Sequence, residues 1–161
     1  MRILFIIMAS VFFMSCPVIN GDNQPESLKF FVVNDKKIID GIYIDTPTLP
    51  KLGYIKRKPD FEVNKLENVL LSVSRVITYP GGEIQTPCLI IHFVQEDKDP
   101  FAKFTADNIG KKILMSIGNE PIFAPTLLVA IDIGRIECSM PGKNTGDCKK
   151  IQEKLKLLIK K

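Results

Sequence analysis

Residues 99–117 read DPFAKFTADNIGKKILMSI, and this stretch decides the fold. Asp99 is a residue type that caps helix N-termini, and Pro100 suits the first helical position, where its missing amide is not needed. Ten residues later Gly110 offers the left-handed conformation that ends many helices. Between these signals Phe101, Phe104, Thr105 and Asn108 fall on one face at helical spacing, with Ile109 at its margin. The two phenylalanines therefore read as core residues rather than as a ligand box. After Gly110 the pattern changes. Residues 112–117 form an apolar strand, and Gly118-Asn119-Glu120 turns it.

On the N-terminal side, Val69, Leu71, Val73 and the β-branched Val76, Ile77 and Thr78 predict a strand closed by Tyr79-Pro80-Gly81-Gly82. Residues 87–94 return as its hairpin partner. On the C-terminal side, residues 121–133 predict a bend at Pro125 and another strand, which Gly134 breaks. Ile136 to Cys138 leads into a loop rich in turn formers, SMPGKNTGD at 139–147. Residues 148–159 predict a final helix with Ile151, Leu155, Leu158 and Ile159 as its apolar stripe. Lysines 149, 150, 154, 156, 160 and 161 face only Glu153 there. A basic amphipathic helix can bind membranes, but lysines also suit a helix C-terminus, and docking onto the sheet is the expectation.

Before this region, residues 28–33 (LKFFVV) predict a strand, Asn34-Asp35-Lys36-Lys37 a turn, and residues 37–44 a returning strand. Residues 46–59 carry three prolines, a glycine and the basic cluster Lys56, Arg57 and Lys58. They read as an irregular connector whose basic cluster is expected to be solvated, with contact to anionic lipid as the functional alternative. The expected division is a leader at 1–21, a β-rich extension at 22–66 and a compact domain at 67–161.

The leader sets the compartment. Met1 and Arg2 precede an unbroken apolar and small run, ILFIIMASVFFM at 3–14. About 20 such residues are needed to span a bilayer, so this run fits the h-region of a secretory signal. Phe13-Met14-Ser15-Cys16 reads as a loose lipobox that makes Cys16 the lipid-bearing residue. Cleavage after Gly21 is the alternative. Either way the body of the protein is expected outside the cytoplasm. An oxidising compartment favours a bond between Cys138 and Cys148 across their loop, worth about 2–3 kcal/mol. Cys88 and His92 share a strand face but stand roughly 13 Å apart, too far for one metal ion. Cys88 reads as a small buried hydrophobe and His92 as a partly buried or edge residue.

The chain has 161 residues, 25% charged, with a net charge of +4, one histidine and no tryptophan. A mildly basic balance does not predict nucleic-acid binding. A single histidine on a strand, with no Gly-x-Ser-x-Gly and no phosphate loop, gives no nucleophile and base within reach of each other. No catalytic residue, metal or cofactor is expected.

The sequence from Phe101 to Lys111, the apolar strand after it, Pro125 and Ala130-Ile-Asp-Ile-Gly134 resembles one known family. This is the head subdomain of the first periplasmic domain of SecD/SecDF protein-export subunits. The likeness covers roughly residues 69–158. Phe101, Phe104, Thr105, Asn108, Gly110, Lys111, Pro125 and Gly134 carry it, in mechanical rather than chemical roles. The resemblance implies fold and compartment. It does not carry over force-generating export, because the family's membrane bundle with its acidic residues has no counterpart in this sequence.

The resulting expectation is an α+β fold, a mostly antiparallel sheet with two helices on one face. The order is β-β-α-β-β-α after the β-rich extension. The function expected is a non-enzymatic binding module of the cell envelope, anchored to the membrane only through lipid. Its partner would be an exported polypeptide or an envelope protein. A lipoprotein that docks to one partner and a small hydrolase are the other classes. Binding is expected along a sheet edge or groove beside residues 101–110, with Arg75 and His92 as polar candidates on the sheet's open face.

Overall fold

Strand LKFFV, at the start of the described residues, is apolar at four of five positions, because it is covered from both sides. A computed structural model describes residues 27–78, 82–140 and 143–159. Its elements are β1 (Leu28–Val32), β2 (Ile42–Thr46), β3 (Leu49–Ile55), β4 (Phe61–Val63), β5 (Leu66–Thr78) and β6 (Gly82–Phe93). After these come α1 (Gln95–Ala106), β7 (Ile113–Ile117), β8 (Glu120–Phe123), β9 (Arg135–Ser139) and α2 (Thr145–Lys156). The fold is α+β, and every ladder between these strands is antiparallel.

Three sheets form in place of the single one expected: β4-β1-β7-β8, β5-β6-β9 and the hairpin β2-β3. Alternation along β1 sends Leu28 and Phe30 to one face and Phe31 to the other. On the first face they meet Met115, Ile117, Leu89, Ile91, Phe93, Phe101 and Leu155 in the main core. On the second, Phe31 and Leu114 pack against Leu52 and Ile55 of the β2-β3 hairpin. This double burial explains why all five residues of β7 are inside.

Several expectations are corrected here. β1 does not pair with β2. It lies between β4 and β7, so backbone ladders cross the division drawn near residue 66. The supposed connector at 46–59 contains β3, which tolerates Pro50 because its ladder is with β2 and its other side is bridged only at Tyr54, to Asn34. Helix α1 starts at Gln95, and its N-cap position is Val94, with no side-chain cap. Asp99 and Pro100 are interior residues. Glu96 and Asp97 supply the negative first turn that favours a helix start. β8 stops at Phe123, and residues 124–134 contain no named strand, so the strand expected within 121–133 is four residues long. β9 is a full third strand between the helices, where residues 136–138 were expected only to lead into the 139–147 loop. Residues 1–26, with Cys16 and the proposed leader, lie outside the described residues.

Helix α2 docks as its stripe predicts. Asn144 caps it through its Oδ1, which accepts from the Asp147 amide at 2.9 Å. Cys148, Leu155 and Leu158 enter the core. Gln152 Nε2 donates to the Val69 carbonyl at 3.1 Å, and the Leu66 amide donates to the Leu158 carbonyl at 2.9 Å. No helix among the described residues is long and apolar enough to cross a membrane.

Candidate binding crevice

An apolar cavity of about 370 Å³ opens beside α1. Phe30, Ile113, Met115 and Phe123 of the four-stranded sheet form one wall, and Ile136 to Ser139 of β9 form another. Phe101, Phe104 and Thr105 of α1 line it too. The remaining wall is the irregular segment 124–134, which contributes Pro125, Thr126, Leu127, Leu128, Val129 and Ile131. Leu128 and Val129 also face solvent, at 78% and 67% exposure, so they form the rim.

The aromatic lining is fixed by mutual packing. Phe101 is buried, with its ring 4.4 Å from Phe93 and 5.1 Å from Phe30. Phe104 stacks on Phe61 at 5.6 Å with a 19° interplanar angle. Such pairs add about 0.5–1.5 kcal/mol beyond the area they bury.

An irregular wall cannot satisfy its own backbone, so it takes partners from its neighbours. Thr105 Oγ1 donates to the Ala102 carbonyl and accepts from the Ile131 amide, both at 2.9 Å. Beyond the helix, the Gly110 amide donates to the Leu127 carbonyl at 2.8 Å, and the Leu127 amide donates to the Lys111 carbonyl at 2.9 Å. Gly110 does this at φ +83, where a Cβ would be strained although it would touch nothing. The Ile113 amide donates to the Pro125 carbonyl, and the Phe93 amide donates to the Gly134 carbonyl. Asn108 ties off the helix end. Its Nδ2 donates to the Phe104 carbonyl at 2.8 Å, and its Oδ1 accepts from Lys111 Nζ at 2.9 Å. The motif residues found in the sequence thus meet at one place, where they line or fasten this crevice.

Two strand edges border the same region. β9 pairs on one side with β6, and β8 pairs on one side with β7. Among the described residues neither strand has a second neighbour, so each leaves unpaired amides and carbonyls on its outer side.

The other candidates are placed differently. Arg75 lies opposite Gln85, on the Val69 and Leu71 face, beyond the end of the core, and its side chain pairs with Glu83 at 3.4 Å. His92 lies opposite Asn68 and Arg135, on the other face. The two were expected to share one open face. The register puts them on opposite faces, because their partners differ in parity along β5. The face that carries His92 is curled. Ser74 and Ser139, two strands apart, touch through their hydroxyls at 2.7 Å, where a flat sheet would hold those strands about 9.6 Å apart. Cys88 and Thr86 lie on the strand between them and are buried.

The expected bond between Cys138 and Cys148 is not formed. Both are free, buried thiols. The Cys148 thiol is directed at Met140 Sδ, 3.8 Å away. Burial pushes the Cys138 thiol up to about 12, and nearby Cys88 adds to the shift. Burial also raises Cys148 and Cys88. No group of three or more potential metal ligands occurs among the described residues. No buried side-chain nitrogen or oxygen there lacks a partner. The cavity lining holds hydroxyls, one thiol and the Glu137 carboxylate, with neither histidine nor lysine. The ligand it suits is apolar.

No family model matches the chain, and no curated protein matches it. Solved structures that share its fold include two of SecDF. One is a crystal structure of SecDF in its Super-membrane-facing form, with 18% identity and a TM-score of 0.54 over 84% of this chain and 19% of that one. The other is SecDF reported as a membrane component that enhances protein export, with 18% identity and a TM-score of 0.53 over 83% of this chain and 63% of that one. The chain thus spans less than two thirds of either protein. The likeness seen in the sequence holds at the level of fold. It also reaches further than residues 69–158, because that stretch alone cannot supply so large a share of the chain.

Proposed function

We propose that this protein is an extracytoplasmic, non-enzymatic module that holds an extended, apolar segment of an exported polypeptide in the crevice beside α1. The observation that carries the reading is an apolar cavity bordered by the unpaired edge of β9. An extended peptide can add a strand to such an edge through its backbone, while alternate side chains drop into the adjoining pocket. Main-chain bonding gives affinity without sequence preference, and the pocket selects for apolar side chains. The shared fold with a component that enhances protein export agrees with a client of this kind.

Fluorescence anisotropy with a labelled, unstructured apolar peptide tests this. Leu128→Asp and Val129→Asp change exposed rim positions, so the fold is retained while binding weakens by about tenfold or more. Unchanged affinity in the double variant, with an unchanged circular-dichroism spectrum, would sink the crevice as the site.

The leader belongs to the same reading, with Cys16 as the lipid-bearing residue. Incorporation of a labelled fatty acid that Cys16→Ser abolishes is the expected result. A mature N-terminus at Asp22 without label replaces anchoring by cleavage after Gly21.

A further inference from the structure

The side of the four-stranded sheet away from the crevice carries a second surface, at one end of the β2-β3 hairpin. Ile42 pairs with Ile55, and Asn34 exchanges two 2.8 Å backbone hydrogen bonds with Tyr54. The loops at 35–41 and 56–60 therefore leave the hairpin at the same end. The first loop makes a tight turn, closed by the Gly41 amide donating to the Ile38 carbonyl at 3.1 Å. At its corner Ile39 is 95% exposed. Next to it Asp40 holds φ +56, a left-handed conformation uncommon outside glycine. Ile42 and Tyr43 are exposed beside this turn at 40% and 47%.

The apolar corner has a basic surround. Lys36, Lys37, Lys56, Arg57 and Lys58 are all exposed on these two loops. The carboxylates there are Asp35, Asp40 and Asp60. Asp60 is already engaged, accepting from the Val32 amide at 2.8 Å and from Lys56 Nζ at 2.6 Å. The balance facing outward is positive.

We propose that this tip rests on an anionic lipid bilayer, with Ile39 entering the interface and the lysines contacting headgroups. One fully exposed isoleucine at a turn, with only the partly exposed Ile42 and Tyr43 beside it, gives a folded partner no extended apolar face to match. It does suit a medium that closes around it, and cations near an anionic surface add electrostatic attraction that salt screens. The proposal stands apart from the crevice and its ligand.

The test uses the full chain and variants of it, so any contribution from residues 1–26 is common to all samples. Vesicles of phosphatidylcholine alone are compared with vesicles one-third phosphatidylglycerol. Cosedimentation should favour the anionic vesicles by about tenfold at low salt, and that preference should shrink as salt is added. Ile39→Asn, and separately Arg57→Gln with Lys58→Gln, should each remove most of the difference while leaving the circular-dichroism spectrum unchanged. The chain has no tryptophan, so Ile39→Trp gives a single reporter whose emission should shift to the blue on anionic vesicles only. A reporter that stays unshifted while Leu128→Trp shifts would overturn the assignment, as would equal binding by the parent and Ile39→Asn. Concentration-dependent dimers that Ile39→Asn abolishes, without vesicle binding, would assign the tip to a second copy instead.

Discussion

Helix α2 and the segment 124–134 both cover the core between the two larger sheets, and they cover it in opposite ways. α2 satisfies its own backbone, so its side chains can be given over to packing. Cys148 and Leu155 are wholly buried and Leu158 nearly so. The segment 124–134 has no repeating hydrogen bonds and depends on Thr105, Gly110 and Lys111 for partners. Only Leu127 and Ile131 of its larger apolar residues pack against the core, while Leu128, Val129 and Ile133 remain exposed. A regular element seals a core. An irregular one, tied down at a few points, can leave a cavity and an apolar rim, which a binding surface requires.

The largest test of this contrast compares one leucine from each cover. Leu155→Ala should cost about 2–5 kcal/mol, because it opens a void under α2. Leu128→Ala should stay within about 0.5 kcal/mol, as exposed substitutions do. Urea unfolding curves measure both, and similar losses at the two sites would remove the distinction. A smaller effect is expected from Thr105→Val, which keeps shape but leaves the Ile131 amide without its acceptor. The cost is about 1–3 kcal/mol. Hydrogen exchange should rise first at Ile131, ahead of the core strands, if the segment opens on its own.

A further effect shows itself only on the alkaline side. In the unfolded chain Cys138 releases its proton near 9.0, whereas the folded state holds it to about 12. Between those values the folded state binds the extra proton. Its stabilising contribution is therefore complete below pH 9 and is lost as pH rises through that window, at no more than about 1.4 kcal/mol per pH unit. Denaturation followed from pH 7 to pH 11 should show a shallower alkaline decline in Cys138→Ala than in the parent.

Local signals in the sequence were read well, and pairings across the chain were not. Phe101, Phe104 and Thr105 follow from spacing alone, since a helix face repeats within a few residues, but α1 ends at Ala106, ahead of Asn108, expected on its face, and of Gly110, expected to end it. The helix start was misplaced because Asp99-Pro100 imitates a cap, while the true start relies on Glu96 and Asp97 and has no capping side chain. β3 was hidden by Pro50 and Gly53, which look like breakers; Pro50 sits where the outer side of the hairpin is unbridged, and Gly53 where an added Cβ would meet the Asn34 carbonyl oxygen at 2.8 Å. The opposite facing of Arg75 and His92 depends on register, which no local pattern states. The crevice is assembled from strands of both larger sheets, α1 and the irregular segment. Its one legible signal was a run of apolar residues, Leu127 to Val129, with neither helical nor strand spacing.

The position of β1 has a consequence for how the chain reaches its native state. Its main ladder joins Val32 to Ile113, about eighty residues apart in sequence, while its ladder with β4 is only three residues long. Closing so large a loop has an entropic cost that is met before the contacts form. Folds dominated by such pairings assemble in milliseconds to seconds, more slowly than those built from near neighbours. During synthesis, β1 must therefore wait as an exposed apolar strand until β7 arrives. A chain interrupted before residue 113 would leave it with little more than β4 to hold.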